Sequence, residues 1–209
     1  MPPQNSDRLY KFIAERYAAG MLDLGRIKIG TAEEYRVPDG NAGGRADADE
    51  LAVGWEPGSG IVDPDQADKF RKLLGREHAK NVQFAFAEGA RITFVSNAYM
   101  YSMSWEITNE IKNRMESDFG ANACIEIAAP LEFSKIISSH PLLAGRQWHL
   151  APVDYISENV SAKIREQNPF QKLDQFSWQK ETRLIWDGNA GNGEIIDVPD
   201  ARRLFKRIF

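Results

Sequence analysis

The stretch Phe176-Ser177-Trp178-Gln179-Lys180-Glu181-Thr182-Arg183-Leu184-Ile185-Trp186 begins polar and aromatic and ends as an apolar strand. A buried strand gives its end a fixed position, and the polar segment before it has reach towards a ligand. Glu181 stands at the junction. Gln179 and Glu181 are two apart, so in extended chain their side chains project from one face. Arg183 would share that face. A surface ion pair between Glu181 and Arg183 is therefore the plain alternative to a functional carboxylate.

Downstream of this stretch, a Gly- and Asn-rich turn at 187–193 predicts that Glu194 to Val198 pairs with Thr182 to Trp186 as a hairpin. Residues Ala201 to Phe209 then read as a basic amphipathic helix. Upstream, Arg8 to Phe12, Arg26 to Ile29, Ala123 to Ile127 and Gln147 to Ile156 read as short strands. Pro152 confines the last of these to an edge or a bulge. Val82 to Phe86 and Arg91 to Ser96 look like a hairpin around Glu88-Gly89. Helical spacing marks Ile13 to Leu24, closed by Gly25, and Leu131 to Ile137. The same spacing marks Pro64 to Leu74 and Val160 to Gln167. The longest helical pattern is Ser102 to Phe119, where Met103, Ile107, Ile111 and Met115 recur every four residues. Thr31 and Glu34 have the spacing of a capping box.

Short strands, often hairpin-linked and unevenly interleaved with helices, predict an α+β fold of mixed, mostly antiparallel sheets with flanking helices. The 209 residues are expected to form a single domain with a long irregular loop at 37–60. Within that loop Arg45, Asp47 and Glu50 stand out as candidate substrate contacts, against the reading of a solvated acidic loop.

Composition narrows the classes. Hydrophobic residues make up 43% and the net charge is −4, which suits a globular chain with no bulk attraction to nucleic acid or membrane. One cysteine, Cys124, allows no intramolecular disulfide and reads as a small buried hydrophobe. His78, His140 and His149 lie far apart without metal-ligand spacing, so no metal is expected. Phosphate-loop, dinucleotide-fingerprint and hydrolase-elbow motifs do not occur. No signal-peptide pattern and no run of about 18 apolar residues is present, so a cytoplasmic protein without a membrane partner is expected.

Several segments together carry a resemblance. They are Leu9-Tyr10-Lys11-Phe12, Gly25 with Thr31 to Arg36, Arg45-Ala46-Asp47 with Glu50, Ile92 to Ser96, Met103-Ser104-Trp105, Gly120 with Cys124 to Ile127, and Trp178 to Ile185. The series resembles the bacterial and phage proteins of domain-of-unknown-function family 2971. Thr93, Ser104 and Gln179 depart from that family's pattern of Cys-Phe-Ser, Met-Trp and Glu-x-Glu. The layout is also similar to ADP-ribosyltransferases, including the DarT toxins that modify DNA.

That resemblance implies an ADP-ribosyltransferase-like fold with NAD as substrate and a nucleic-acid or protein acceptor, in a toxin or phage–host conflict setting. It implies a basic residue on an early strand, Ser or Tyr on a middle strand and Glu on a late one. Glu181 would stabilise an oxocarbenium-like ribose and Gln179 would orient the acceptor. Lys11 would pair with phosphate and Ser96 would form a pocket wall. Tyr35 or Trp105 would pack on nicotinamide. Two alternatives stand beside it. One is a non-catalytic binding protein of the same fold. The other is nucleic-acid binding through Arg202, Arg203, Lys206 and Arg207 on the C-terminal helix.

Overall fold

The computed structural model describes residues 7–36, 52–55, 60–61, 85–86, 92–95, 97–156, 169–188 and 190–209. The fold is α+β and its main sheet is antiparallel throughout its register. Strand β1 (Arg8–Ile13) leads into α1 (Glu15–Leu24), β2 (Arg26–Thr31) and α2 (Ala32–Arg36). Gly25 closes α1 with φ 68°, its N–H donating to Met21, as its spacing predicts. The Thr31–Glu34 capping box is also formed: each backbone N–H donates to the other's side chain at 3.3 Å.

Four short strands follow: β3 (Ala52–Trp55), β4 (Gly60–Ile61), β5 (Ala85–Phe86) and β6 (Ile92–Val95). They correct two expectations. The segment 37–60 holds β3 and the first residue of β4. The pairs are β3 with β6 and β4 with β5, in place of a hairpin around 88–89. Register puts Val53 opposite Phe94 and Trp55 opposite Ile92, a long-range match that the local Gly and Ala content concealed. The helices expected at 64–74 and 160–167 lie outside the described residues.

Strand β7 (Tyr99–Ser104) is the hub, and it overturns the helix expected from Ser102. Met103 belongs to β7, while Ile111 and Met115 belong to α3 (Asn109–Phe119). The every-four-residue pattern thus ran across two elements. Nearly all of β7 is buried, so it lacks the polar alternation of a one-sided strand. Helix α3 starts where Thr108 accepts from the Ile111 N–H at 3.1 Å.

The remaining elements are β8 (Ala123–Ala128), α4 (Pro130–Ser138), β9 (Trp148–Pro152), β10 (Asp154–Ile156), β11 (Gln171–Leu173), a 3₁₀ helix at Asp174–Gln179, β12 (Glu181–Trp186), β13 (Glu194–Asp197), a 3₁₀ helix at Pro199–Leu204 and β14 (Phe205–Arg207). Along one edge β7 pairs with the whole of β12. Along the other it meets β2 at Tyr99 and Met100 and β1 at Ser104. Two branches leave from there, β2–β13 and β1–β8–β14.

This topology corrects two more readings. Strand β12 has β7 and β9 on its two edges, so β13 pairs with β2 and no hairpin with β12 forms. The C-terminal helix is absent as well. Pro199 begins a 3₁₀ turn, after which Phe205–Arg207 covers the open edge of β8. Pro152 behaves as expected, on β9 at an edge of the sheet.

The main core lies on one face of the sheet. It joins Ile27, Tyr101, Ile125, Leu184 and Trp186 to Met21 of α1, Phe133 and Ile137 of α4 and Leu204. Each such side chain contributes about 1.5–3 kcal/mol by leaving water. Gly25 is a rigid joint beside this core. A Cβ there would collide with the Val198 carbonyl, and the left-handed φ is unfavourable for any L side chain. Gly25→Ala should therefore cost at least about 1–2 kcal/mol, read as a fall in the urea midpoint. No described helix is long and apolar enough to cross a membrane.

Candidate functional site

The opposite face of β12 carries charge. Register places Glu181 opposite Ser104, and Ser104 opposite Tyr10. Directly opposed antiparallel residues share a face, so Tyr10, Ser104 and Glu181 form one row across three adjacent strands.

Glu181 is only 6% exposed and Arg183 only 1%. Arg183 Nε donates to Glu181 Oε1 at 2.8 Å. Lys172 Nζ, from β11, donates to Glu181 Oε2 at 3.2 Å and to Gln179 Oε1 at 2.9 Å. The Arg183 guanidinium also donates to the Pro169 carbonyl. The backbone N–H of Glu181 donates to the Tyr155 hydroxyl at 2.8 Å. The expected Glu181–Arg183 pair thus exists, but inside the molecule rather than on its surface. Neither β11 nor the role of Lys172 has a signal in local sequence. Tyr155 lies within the strand read at 147–156, but its partner is set by the fold rather than by local sequence.

Electrostatics fixes the state of Glu181. Burial pushes its carboxyl pKa upward. The charges of Arg183 and Lys172, with hydrogen bonds from Arg183 and Ser102, outweigh that and hold it well below the usual carboxylate range. The group is an anion across neutral pH. Burial raises the Tyr155 hydroxyl, so it stays protonated. Cys124, fully buried in β8, is pushed up to about 12 by burial first and by Glu126 second. That matches its reading as an inert, hydrophobe-like thiol.

Gln179 and Glu181 do converge, by a route that extended geometry did not foresee. Gln179 ends a 3₁₀ helix, and Lys180 takes the left-handed conformation with φ 48°. The Ser104 hydroxyl sits at this corner, its single proton within reach of the carbonyls of Glu106 at 2.8 Å and Gln179 at 3.0 Å. Trp178 is held by α3: Phe119 stacks on it with centroids 6.0 Å apart, and the Arg114 guanidinium sits 4.0 Å over its ring.

The other expected residues divide. Lys11 alternates with Tyr10 and so faces the opposite side from Glu181. Its ammonium donates to the Ser102 carbonyl at 2.6 Å and lies 4.4 Å over the Tyr101 ring. Tyr101 in turn packs on Phe133 of α4. Trp105 also packs against that core, with Lys180 5.6 Å over its ring. Lys11 and Trp105 therefore do not join Glu181 in one pocket. Tyr35 does share its face: it packs over Gly30 and with Met100 and Ile185. Ile185 is four residues along β12, about 13 Å at about 3.3 Å per residue. Ser96, Arg45, Asp47 and Glu50 lie outside the described residues.

The basic residues near the C-terminus present no common helical face. Arg202 donates to the Asp23 carbonyl, Arg203 pairs with Glu132 and Arg207 with Glu15. Two of the four basic residues, Arg203 and Arg207, are thus paired with carboxylates, which lowers the charge that nucleic-acid binding would use.

Comparison with protein-family profiles, curated proteins and solved structures yields no match for this chain.

Proposed function

We propose that this chain is an ADP-ribosyltransferase-like protein in which Glu181 is the catalytic carboxylate. One observation carries the reading. A buried carboxylate that would ordinarily protonate is kept ionised, with the Gln179 amide tied to it through a shared lysine. An ionised carboxylate is the state that stabilises an oxocarbenium-like ribose. Such a reaction breaks the bond between ribose C1′ and the nicotinamide nitrogen. The electron pair leaves with nicotinamide, an acceptor lone pair forms the new bond to C1′, and the acceptor proton passes to solvent.

In this reading Glu181 and Gln179 would stand at the reacting end. Tyr10 and Ser104 share their row across the sheet and would line the same side; Ser96 lies outside the described residues. Tyr35 stands further along the same face, where it would pack on a ring of the dinucleotide. Lys11 keeps a structural part behind the sheet. The acceptor, nucleic acid or protein, comes with the family resemblance, as does a role in phage–host conflict.

The test is incubation with labelled NAD and lysate. The wild type should release nicotinamide, and Glu181→Gln should slow release about 10²–10³-fold at an unchanged circular dichroism spectrum. Equal rates in the two proteins would remove Glu181 from the mechanism. A second reading has its own support, because Arg183 and Lys172 already engage both carboxylate oxygens. In that case the protein binds without catalysis. The wild type would then release no nicotinamide, and Glu181→Gln would change melting temperature alone.

A further inference from the structure

Gln179 is 8% exposed, and its amide has one fixed end. An ammonium only donates, so the oxygen of the amide must face Lys172. Its NH₂ group then points the other way. Among the described residues nothing accepts from that NH₂. A donor pair without an acceptor on so buried a residue calls for an explanation. Resting on the transfer reading above, we propose that Lys172 is the positioning residue of the site: it locks the Gln179 amide with its oxygen inward, so that Gln179 presents a donor to an oxygen of the acceptor molecule.

The arrangement around Lys172 fits that part. Its side chain is 9% exposed and its ammonium lies 4.8 Å over the Phe176 ring. Phe176 and Gln179 belong to the same 3₁₀ helix, so one ammonium ties that helix to β12 at two points. Lys172 touches no reacting atom. It acts through Gln179 and Glu181, and so belongs with groups that hold geometry. The inference also predicts the acceptor's chemistry at the contact atom. A carbonyl, hydroxyl or phosphate oxygen satisfies the amide NH₂, whereas a guanidinium, which has only donors, does not.

Side-chain NMR with Lys172→Met and Lys172→Arg tests this. In the wild type the Gln179 NH₂ signals should be shifted from free glutamine, and the Lys172 ammonium should be visible and slow to exchange. The Met variant should return the Gln179 signals towards free glutamine, and the Arg variant should keep them shifted. In the NAD assay, Lys172→Met should lose about 10²-fold of label transfer to lysate macromolecules, with a smaller loss of nicotinamide release, and Lys172→Arg should recover most of it. Unshifted Gln179 signals in the wild type, or indistinguishable Met and Arg variants, would overturn the assignment. If Lys172→Met does not fold, the wild-type ammonium signal alone decides whether the lock exists. A wild type that releases no nicotinamide would remove the transfer reading, while the NMR result still decides what Lys172 does.

Discussion

Arg183→Met should destabilise the protein by about 3–5 kcal/mol, the range for removing one partner of a buried ion pair. Arg183 is nearly inaccessible and donates to both Glu181 oxygens and to the Pro169 carbonyl. Its loss leaves a buried carboxylate with Lys172 as its remaining charge partner. For a chain of this size the melting temperature should fall on the order of 10 °C. Calorimetry of the variant beside the wild type reads this directly.

The pH dependence gives the same experiment a second, signed outcome. In the wild type Glu181 has a folded pKa below its unfolded value. Its contribution is fully present above the unfolded value of about 4.3 and is lost as pH falls through the lower folded one. In Arg183→Met, burial outweighs the remaining attraction more nearly, and the folded pKa moves upward. The gap between wild type and variant should therefore narrow as pH drops towards 4. A gap that stays constant with pH would mean that Arg183 acts through packing rather than charge. The double variant Arg183→Met/Glu181→Gln should recover part of the loss, because it removes the stranded charge.

Trp186→Ala should cost about 3–5 kcal/mol, the range for truncating a large buried aromatic. Trp186 is fully buried at the end of β12, within the core that joins the sheet to α1 and α4. Its indole Nε1 donates to the Ser138 hydroxyl at 2.8 Å, tying β12 to the last residue of α4. Two losses therefore combine: a cavity and an unpaired hydroxyl. Trp186→Phe separates them, since it keeps most of the ring volume. It should cost markedly less, with about 1 kcal/mol of it from the hydrogen bond. A denaturant series over the wild type and both variants checks the order. Equal stability of Trp186→Ala and Trp186→Phe would show that packing carries little of the effect. Because Trp186 lies at the far end of β12 from Glu181, neither variant should alter the Gln179–Lys172 contact.

Much of the framework was legible without coordinates, and the reasons are local. Leu9 to Phe12 and Ala123 to Ile127 are strands because their side chains suit a pleated surface. Gly25 stops α1 because it tolerates φ 68°, and Thr31 and Glu34 cap each other across one helical turn. The α+β class follows from such elements. Glu181 as the residue of interest and Arg183 as its partner were also legible, since both lie on alternate positions of one strand. What sequence left open was the surroundings of that pair. Strand β7 hid behind a helical spacing that ran through it by coincidence. Strand β14 hid behind an amphipathic pattern at 201–209 that in the fold divides between a 3₁₀ turn and a strand. The partners of β12, β13 and β6 were decided by which sheet edges remained open. Lys172 reaches Glu181 from a strand with no local mark, Tyr155 from a predicted strand whose partner only the fold supplies, and Lys11 faces away because its neighbour Tyr10 takes the row opposite Ser104. Sequence by itself thus determined which residues could carry charge into a strand. Only the tertiary structure decided that Glu181 is buried and ionised and that its neighbours are Lys172 and Gln179, because burial and pairing are set by segments distant along the chain.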